Sequence, residues 1–213
     1  MLKVLIVDDH DVVSQGISRV LQDVNGVEVV GVVHSGEDAV TQSKRLLPDV
    51  ILMDVHMPGI GGLGATKEIK RILPKIKIIA LSALDDNLYP IKLLEAGASG
   101  YLTKGTSTSE LLEAIDTVMK GESYISKTIA QKIALSKFSL DSQGSPLGQL
   151  SDRELQVAQM IVDCKKSSEI AEYLSVSPKT VSTYRTRIFT KLSIESDVEL
   201  MHLAVRYSVL GMG

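Results

Sequence analysis

The chain has 213 residues, 44% of them hydrophobic and 23% charged, with 23 Lys and Arg against 26 Asp and Glu. That composition suits one large or two small globular domains and excludes both a disordered polyelectrolyte and a membrane-embedded protein. A single cysteine, Cys164, excludes a disulfide framework within the chain and suits a reducing compartment.

The first apolar run ends at Val7, where Asp8 and Asp9 follow. It is too short for the apolar core of a signal peptide, and no longer apolar stretch follows, so a cytoplasmic protein without a membrane partner is expected. Apolar β-branched runs begin near Val4, Val27, Val50, Ile76 and Gly100, separated by stretches of helical period. The first helix puts Val13, Ile17, Val20 and Leu21 on one face; the fifth does so with Leu111, Leu112, Ile115, Val118 and Met119. Ser107 with Glu110 reads as a capping box, and Pro48 and Pro74 stop the helices before two strands. Five βα units therefore fill residues 1 to about 121 as a doubly wound parallel sheet covered on both faces.

The strand ends carry the chemistry. Val50-Ile51-Leu52-Met53 finishes on Asp54 as the first strand finishes on Asp8 and Asp9. Adjacent strands at a topological switch point would bring these carboxylates within a few ångströms, and their repulsion calls for a divalent cation. An all-oxygen set favours Mg²⁺, which takes phosphate oxygens as further ligands, so the site points to phosphoryl chemistry.

After Gly121 the pattern changes to a short helix over about 127–137 and a Gly/Ser/Pro-rich linker reaching residue 148. The remainder, 149–213, reads as a small all-α four-helix domain with helix starts at Ser151, Ser168, Ser177-Pro178 and Ser196. Residues 169–181 give a helix, a polar turn and a second helix, the helix-turn-helix pattern of DNA-binding proteins. On that second helix Val181, Arg185, Ile188 and Leu192 face inward, with Tyr184 at the edge. Lys179, Ser182, Thr183, Thr186, Arg187 and Thr190 face outward, toward a major groove. Arg185 should snorkel toward the DNA backbone. From Leu147 onward eight cations balance eight acids, so the positive field is local to 178–192, where Lys179, Arg185, Arg187 and Lys191 meet no acid. Dimerisation is expected to supplement this modest charge, with Val198, Met201 and Val205 of the last helix as a candidate surface.

Taken together, Asp8-Asp9, Asp54, Met57-Pro58-Gly59 with Gly62, Ser82, Tyr101 and Lys104 resemble the flavodoxin-like receiver domain of two-component response regulators. Leu150-Ser151-Asp152-Arg153-Glu154 and the helix-turn-helix resemble the LuxR/FixJ/NarL output domain, and Ser177 to Arg185 with the stretch from Ser196 is similar to the GacA/UvrY group. The resemblance implies a receiver over 1–121, a short helix and linker over 122–148, and a DNA-binding domain over 149–213. It implies a phosphoacceptor at Asp54, and Mg²⁺ held by Asp9 and Asp54 with Asp8 nearby and the His56 carbonyl as a further ligand. It also implies Lys104 pairing with the phosphoryl group, Ser82 donating a hydrogen bond to it, and Tyr101 filling the space that Ser82 leaves on moving inward. The partners implied are a sensor histidine kinase or phosphotransfer domain, promoter DNA, RNA polymerase and, once phosphorylated, a second copy of the chain. Gly105 stands where many receivers carry a proline, and Tyr184 where the wider output family often has His.

Competing readings are weaker. Gly59-Ile60-Gly61-Gly62-Leu63-Gly64 fits a dinucleotide-binding glycine pattern but follows the third strand, and Ser82 stands at the next strand end where an acid is needed. A hydrolase using Asp54 as nucleophile needs a general acid nearby, typically an Asp two residues on, where His56 stands. A binding module switched without phosphate leaves the phosphorylation residues without purpose. The four histidines, His10, His34, His56 and His202, show no ligand spacing and are read as ordinary polar residues.

Overall fold

The computed structural model describes residues 1–82, 89–138 and 146–206, which form two compact units with the boundary between Ala130 and Gln131. The first unit is built on β1 (Leu2–Val7), β2 (Val27–Val33), β3 (Val50–Asp54), β4 (Lys77–Ser82), β5 (Gly100–Thr103) and β6 (Tyr124–Ile125). All pairs are parallel, in the order β2-β1-β3-β4-β5-β6. The chain leaves β1 for one edge and returns to β3 on its other side, so the switch point lies where β1 and β3 end. Their register pairs Val7 with Met53, which puts the following Asp8 and Asp54 side by side.

The helices α1 (Asp11–Gln22), α2 (Gly36–Leu46), α3 (Gly61–Ile72), α4 (Tyr89–Glu95) and α5 (Thr108–Met119) fill the connections. Strand alternation separates two cores. Val4, Ile6 and Leu52 pack with Leu21 of α1 and Leu111, Ile115 and Val118 of α5, while Leu5, Val7 and Met53 pack with Ala39 of α2 and Ala65 and Ile69 of α3. Because both faces are covered, β1 and β3 carry continuous apolar runs, and Val4 to Val7 are 0% exposed.

Three expectations change here. The sheet has six strands instead of five, because Tyr124-Ile125, expected outside the sheet, pairs with Gly100-Tyr101. Met119, expected on the inward face of α5, is 39% exposed at the helix's last turn. The Ser107 hydroxyl accepts from the Glu110 N–H at 3.2 Å, but the Glu110 carboxylate takes the Thr106 hydroxyl, so the box is half formed.

Beyond α6 (Lys127–Phe138), linker residues 139–145 lie outside the described part. The turn Pro146–Gln149, expected in the linker, is packed, with Leu147 1% exposed. The second unit continues with α7 (Asp152–Val162), α8 (Ser167–Tyr173), α9 (Pro178–Leu192) and α10 (Asp197–Arg206). Ser151 and Glu154 form a full capping box, and the Ser177 hydroxyl accepts from Thr180 N–H at 3.1 Å ahead of Pro178. Ser168 is not the start of α8. Lys166 is the N-cap residue, and the Glu169 carboxylate accepts its N–H at 2.6 Å.

Candidate functional site

The carboxyl end of the sheet collects the acids expected there. Asp8 extends β1 by donating its N–H to Val33 O at 3.0 Å, and Val55 extends β3 by donating to Leu81 O at 3.0 Å, so both carboxylates are fixed by backbone. Lys104 N–H donates to Ser82 O at 2.7 Å, which draws the end of β5 toward them. The Lys104 ammonium then lies 2.8 Å from Asp54 Oδ2 and 2.9 Å from Asp8 Oδ2. Asp8 and Asp54 are 0% and 1% exposed. Their other oxygens accept N–H bonds from His10 and His56, at 2.9 and 3.2 Å.

Burial pushes the Asp54 carboxyl up from its ordinary 3.8 to about 6, against the pull of Lys104 and the His56 N–H and with help from Asp8. Burial acts the other way on Lys104, yet pairing with Asp54 and Asp8 holds its ammonium above the usual value. The two shifts fit one picture: a single cation shared by two buried carboxylates keeps its proton firmly and leaves Asp54 incompletely compensated.

Asp9 completes the cluster. One donor atom each from Asp8, Asp9, His10 and Asp54 lie within 4.8 Å of one another. Three carboxylates facing one ammonium fit a hard divalent cation by the chemistry of the donor set. His10, read from sequence as an ordinary polar residue, joins this cluster with Nδ1 2.9 Å from Asp9 and 3.4 Å from Asp8. Its missed signal was adjacency to the acid pair. The His56 ring stands edge-on to Tyr89 at 5.0 Å between centroids.

Ser82 pairs in register with Thr103, and both Ser82 and Tyr101 are 1% exposed. The glycine-rich segment closes the β3–α3 loop. A Cβ on Gly62 would stand 2.0 Å from Asp54 O, and Gly59 (φ +68) lies against the Glu37 carboxylate, which accepts Ile60 N–H at 3.0 Å. Close backbone approach accounts for these glycines without a dinucleotide.

In the second unit, Lys179, Ser182, Thr183, Thr186, Arg187 and Thr190 are exposed as expected, while Val181, Ile188 and Leu192 are buried. Thr183, Thr186 and Thr190 donate their hydroxyls to the carbonyls four residues earlier, at 3.0, 3.1 and 2.9 Å, so in this state they present lone pairs outward. The cations divide differently from the sequence expectation. Arg185, expected to reach DNA, instead pairs with Asp197 of α10 and lies 5.5 Å from the Phe189 ring centroid. Lys191 pairs with buried Glu154 of α7 at 2.6 Å. Among the described residues neither Lys179 nor Arg187 is in an ion pair, and both are exposed. On α10, Val198 and Val205 are 63% and 47% exposed.

Comparison with known proteins agrees with both halves. Residues 4–116 match the response regulator receiver domain family, and residues 148–204 match the bacterial regulatory proteins of the luxR family. The chain is 51% identical to the response regulator GacA of Pseudomonas syringae pv. syringae (strain B728a) over 210 residues, covering 99% of this chain and 98% of that protein. It is 48% identical to the response regulator UvrY of Escherichia coli (strain K12) over 209 residues, 98% of this chain and 96% of that one. Among solved structures, RcsB from Salmonella enterica serovar Typhimurium, bound to promoter DNA in the presence of the phosphomimetic BeF3-, matches with a TM-score of 0.67 at 28% identity, over 95% of this chain and 97% of that one. Among the described residues no helix is long and apolar enough to cross a membrane.

Proposed function

The chain belongs to the response regulators that couple a receiver domain to a LuxR-type DNA-binding domain in control of transcription, and from that premise we propose that Asp54 is its phosphoacceptor. The observation that carries the reading is the buried triad in which Lys104 lies 2.8 Å from Asp54 and 2.9 Å from Asp8. An Asp54 carboxylate oxygen attacks the phosphorus of a phosphohistidine on a sensor kinase or phosphotransfer domain. The new O–P bond forms as the P–N bond breaks, and the departing imidazole keeps the electron pair and takes up a proton.

Asp8, Asp9, Asp54 and the His56 carbonyl would hold Mg²⁺, which supplies positive charge to the phosphoryl oxygens. Lys104 then exchanges its contact with the Asp54 carboxylate for one with the phosphoryl group, and the Ser82 hydroxyl donates a hydrogen bond to it. Tyr101, buried here, would take up the space that Ser82 leaves on moving inward, so the surface beside β5 changes with phosphorylation. His56 stands where a hydrolase would carry a carboxylic acid, which supports an adduct lost slowly and not a turnover enzyme.

The signal reaches DNA through α9. Lys179 and Arg187 contact phosphates, Ser182, Thr183 and Thr186 reach base edges, and Arg185 acts inside the domain. A phosphorylated homodimer on an inverted repeat, in contact with RNA polymerase, is the form that regulates, and exposed Val198 and Val205 support α10 as its seam. The test is intact-mass measurement after incubation with acetyl phosphate and Mg²⁺. Wild type gains one phosphoryl mass that decays slowly, and Asp54→Asn gains none; equal labelling of the two would overturn the assignment.

A further inference from the structure

Four side chains converge at the sheet end, and the phosphoryl chemistry above uses only the three carboxylates. Asp8, Asp9, His10 and Asp54 each bring one donor atom into a set spanning no more than 4.8 Å. His10 is the one nitrogen donor of the four, with Nδ1 2.9 Å from Asp9 Oδ1 and 3.4 Å from Asp8 Oδ1. Around an octahedral ion with bonds of about 2.1 Å, neighbouring ligands stand about 3 Å apart and opposite ones about 4.2 Å. The imidazole nitrogen thus has the spacing of a neighbouring ligand. Its short contact with Asp9 is not a hydrogen bond, since Asp9 Oδ1 is a buried atom that accepts none. Nor does the ring serve the helix that follows, for His10 precedes α1 without a side-chain capping bond.

Resting on the reading that Asp9 and Asp54 hold a divalent cation, we infer that His10 Nδ1 is a further ligand of that cation and tunes the site toward late first-row metals such as Co²⁺ at the expense of Mg²⁺. Hard Mg²⁺ draws its affinity from oxygen donors and gains little from an imidazole. For the transition ions an N/O set binds more tightly in the order Mn²⁺, Fe²⁺, Co²⁺, Ni²⁺, and imidazole is a preferred ligand of the later members. His34 is no substitute: its Nδ1 lies 2.8 Å from Asp8 O, and it stands outside the set of four. The His10 ring is 65% exposed while Asp8 is fully buried, so an ion held between them keeps one side open to water or phosphate oxygens.

Two measurements on the full-length protein test this. Pulsed EPR with bound Mn²⁺ as the paramagnetic probe should show nitrogen hyperfine coupling that His10→Ala loses and His34→Ala keeps. Calorimetric titrations with Co²⁺ and Mg²⁺ should show His10→Ala weakening Co²⁺ by about tenfold or more and Mg²⁺ far less. The substitution leaves the start of α1 in place, because the His10 N–H that donates to Asp8 Oδ1 at 2.9 Å belongs to the backbone. Divalent-ion binding that Asp9→Ala abolishes, without nitrogen coupling in the wild type, would overturn the role of His10 and leave the carboxylate site standing. Equal losses of Co²⁺ and Mg²⁺ affinity in His10→Ala would overturn the tuning, and no binding of any divalent ion by the wild type would overturn both readings.

Discussion

The sheet-end site of the first unit and the outward face of α9 in the second use charge in opposite ways. At the sheet end, Asp8 and Asp54 are buried beside a single ammonium, and backbone bonds at Val33, Leu81 and Ser82 fix the groups before any ligand arrives. On α9 the hydroxyls and the cations Lys179 and Arg187 are exposed, whereas Arg185 and Lys191 fasten the helix to its neighbours. A buried centre gains reactivity from charges left incompletely compensated; a nucleic-acid face needs free cations on a rigidly held helix.

Removing the shared cation should give the largest effect. Lys104→Ala leaves two buried carboxylates unpaired and should cost roughly 3–5 kcal/mol of stability near pH 8. The loss should shrink toward pH 5, where Asp54 takes up a proton. Urea melts at both pH values check this, and an equal loss at each would mean that the triad is not electrostatically strained.

Relieving the strain from the other side is the next largest. Because the Asp54 pKa is raised in the folded state, from 3.8 to about 6, the folded protein binds that proton more tightly than the unfolded chain does. Its favourable contribution is present below pH 3.8 and is lost as the pH rises through 6. Asp54→Asn should therefore stabilise the Mg²⁺-free protein by up to about 3 kcal/mol above pH 7, with the gain vanishing near pH 4. A stabilisation independent of pH would contradict the burial argument.

The α9 cations should separate cleanly. Lys191→Ala strips buried Glu154 of its partner and should cost about 1–2 kcal/mol, discounted because the lysine is 41% exposed, with little change in the salt dependence of DNA binding. Lys179→Ala and Arg187→Ala should leave the melting temperature alone and lower the salt slope by about one each. If Lys191→Ala changed the slope and Arg187→Ala did not, the division of labour along α9 would be reversed.

The smallest effect concerns helix ends. α2, α7, α8 and α9 end in left-handed backbone at Leu47, Cys164, Ser175 and Ser193, none of them glycine. Ser193→Gly should raise stability by up to about 1 kcal/mol, read as a small rise in melting temperature.

The strands and their polar ends are legible because unbroken apolar runs with an abrupt polar stop leave a pattern at Val7-Asp8, Met53-Asp54 and Leu81-Ser82. Tyr124-Ile125 has no period to read at two residues, and its pairing with Gly100-Tyr101 depends on α5 returning the chain to the sheet edge. Serine is the favoured cap, so the sequence points to Ser168 for the start of α8, whereas Glu169 reaching back to Lys166 N–H decides it. Ion pairs such as Glu154–Lys191, 37 residues apart, are set by helix packing, so composition shows the cations on α9 and not their occupation.

Borohydride reduction after acetyl phosphate treatment tests the central claim most directly, because it converts an aspartyl phosphate to homoserine and peptide mass mapping then locates it. A single homoserine at position 54, dependent on Mg²⁺ and abolished by Asp54→Asn, is the expected result. Homoserine at position 8 or 9, or none under conditions that phosphorylate the protein, would contradict it.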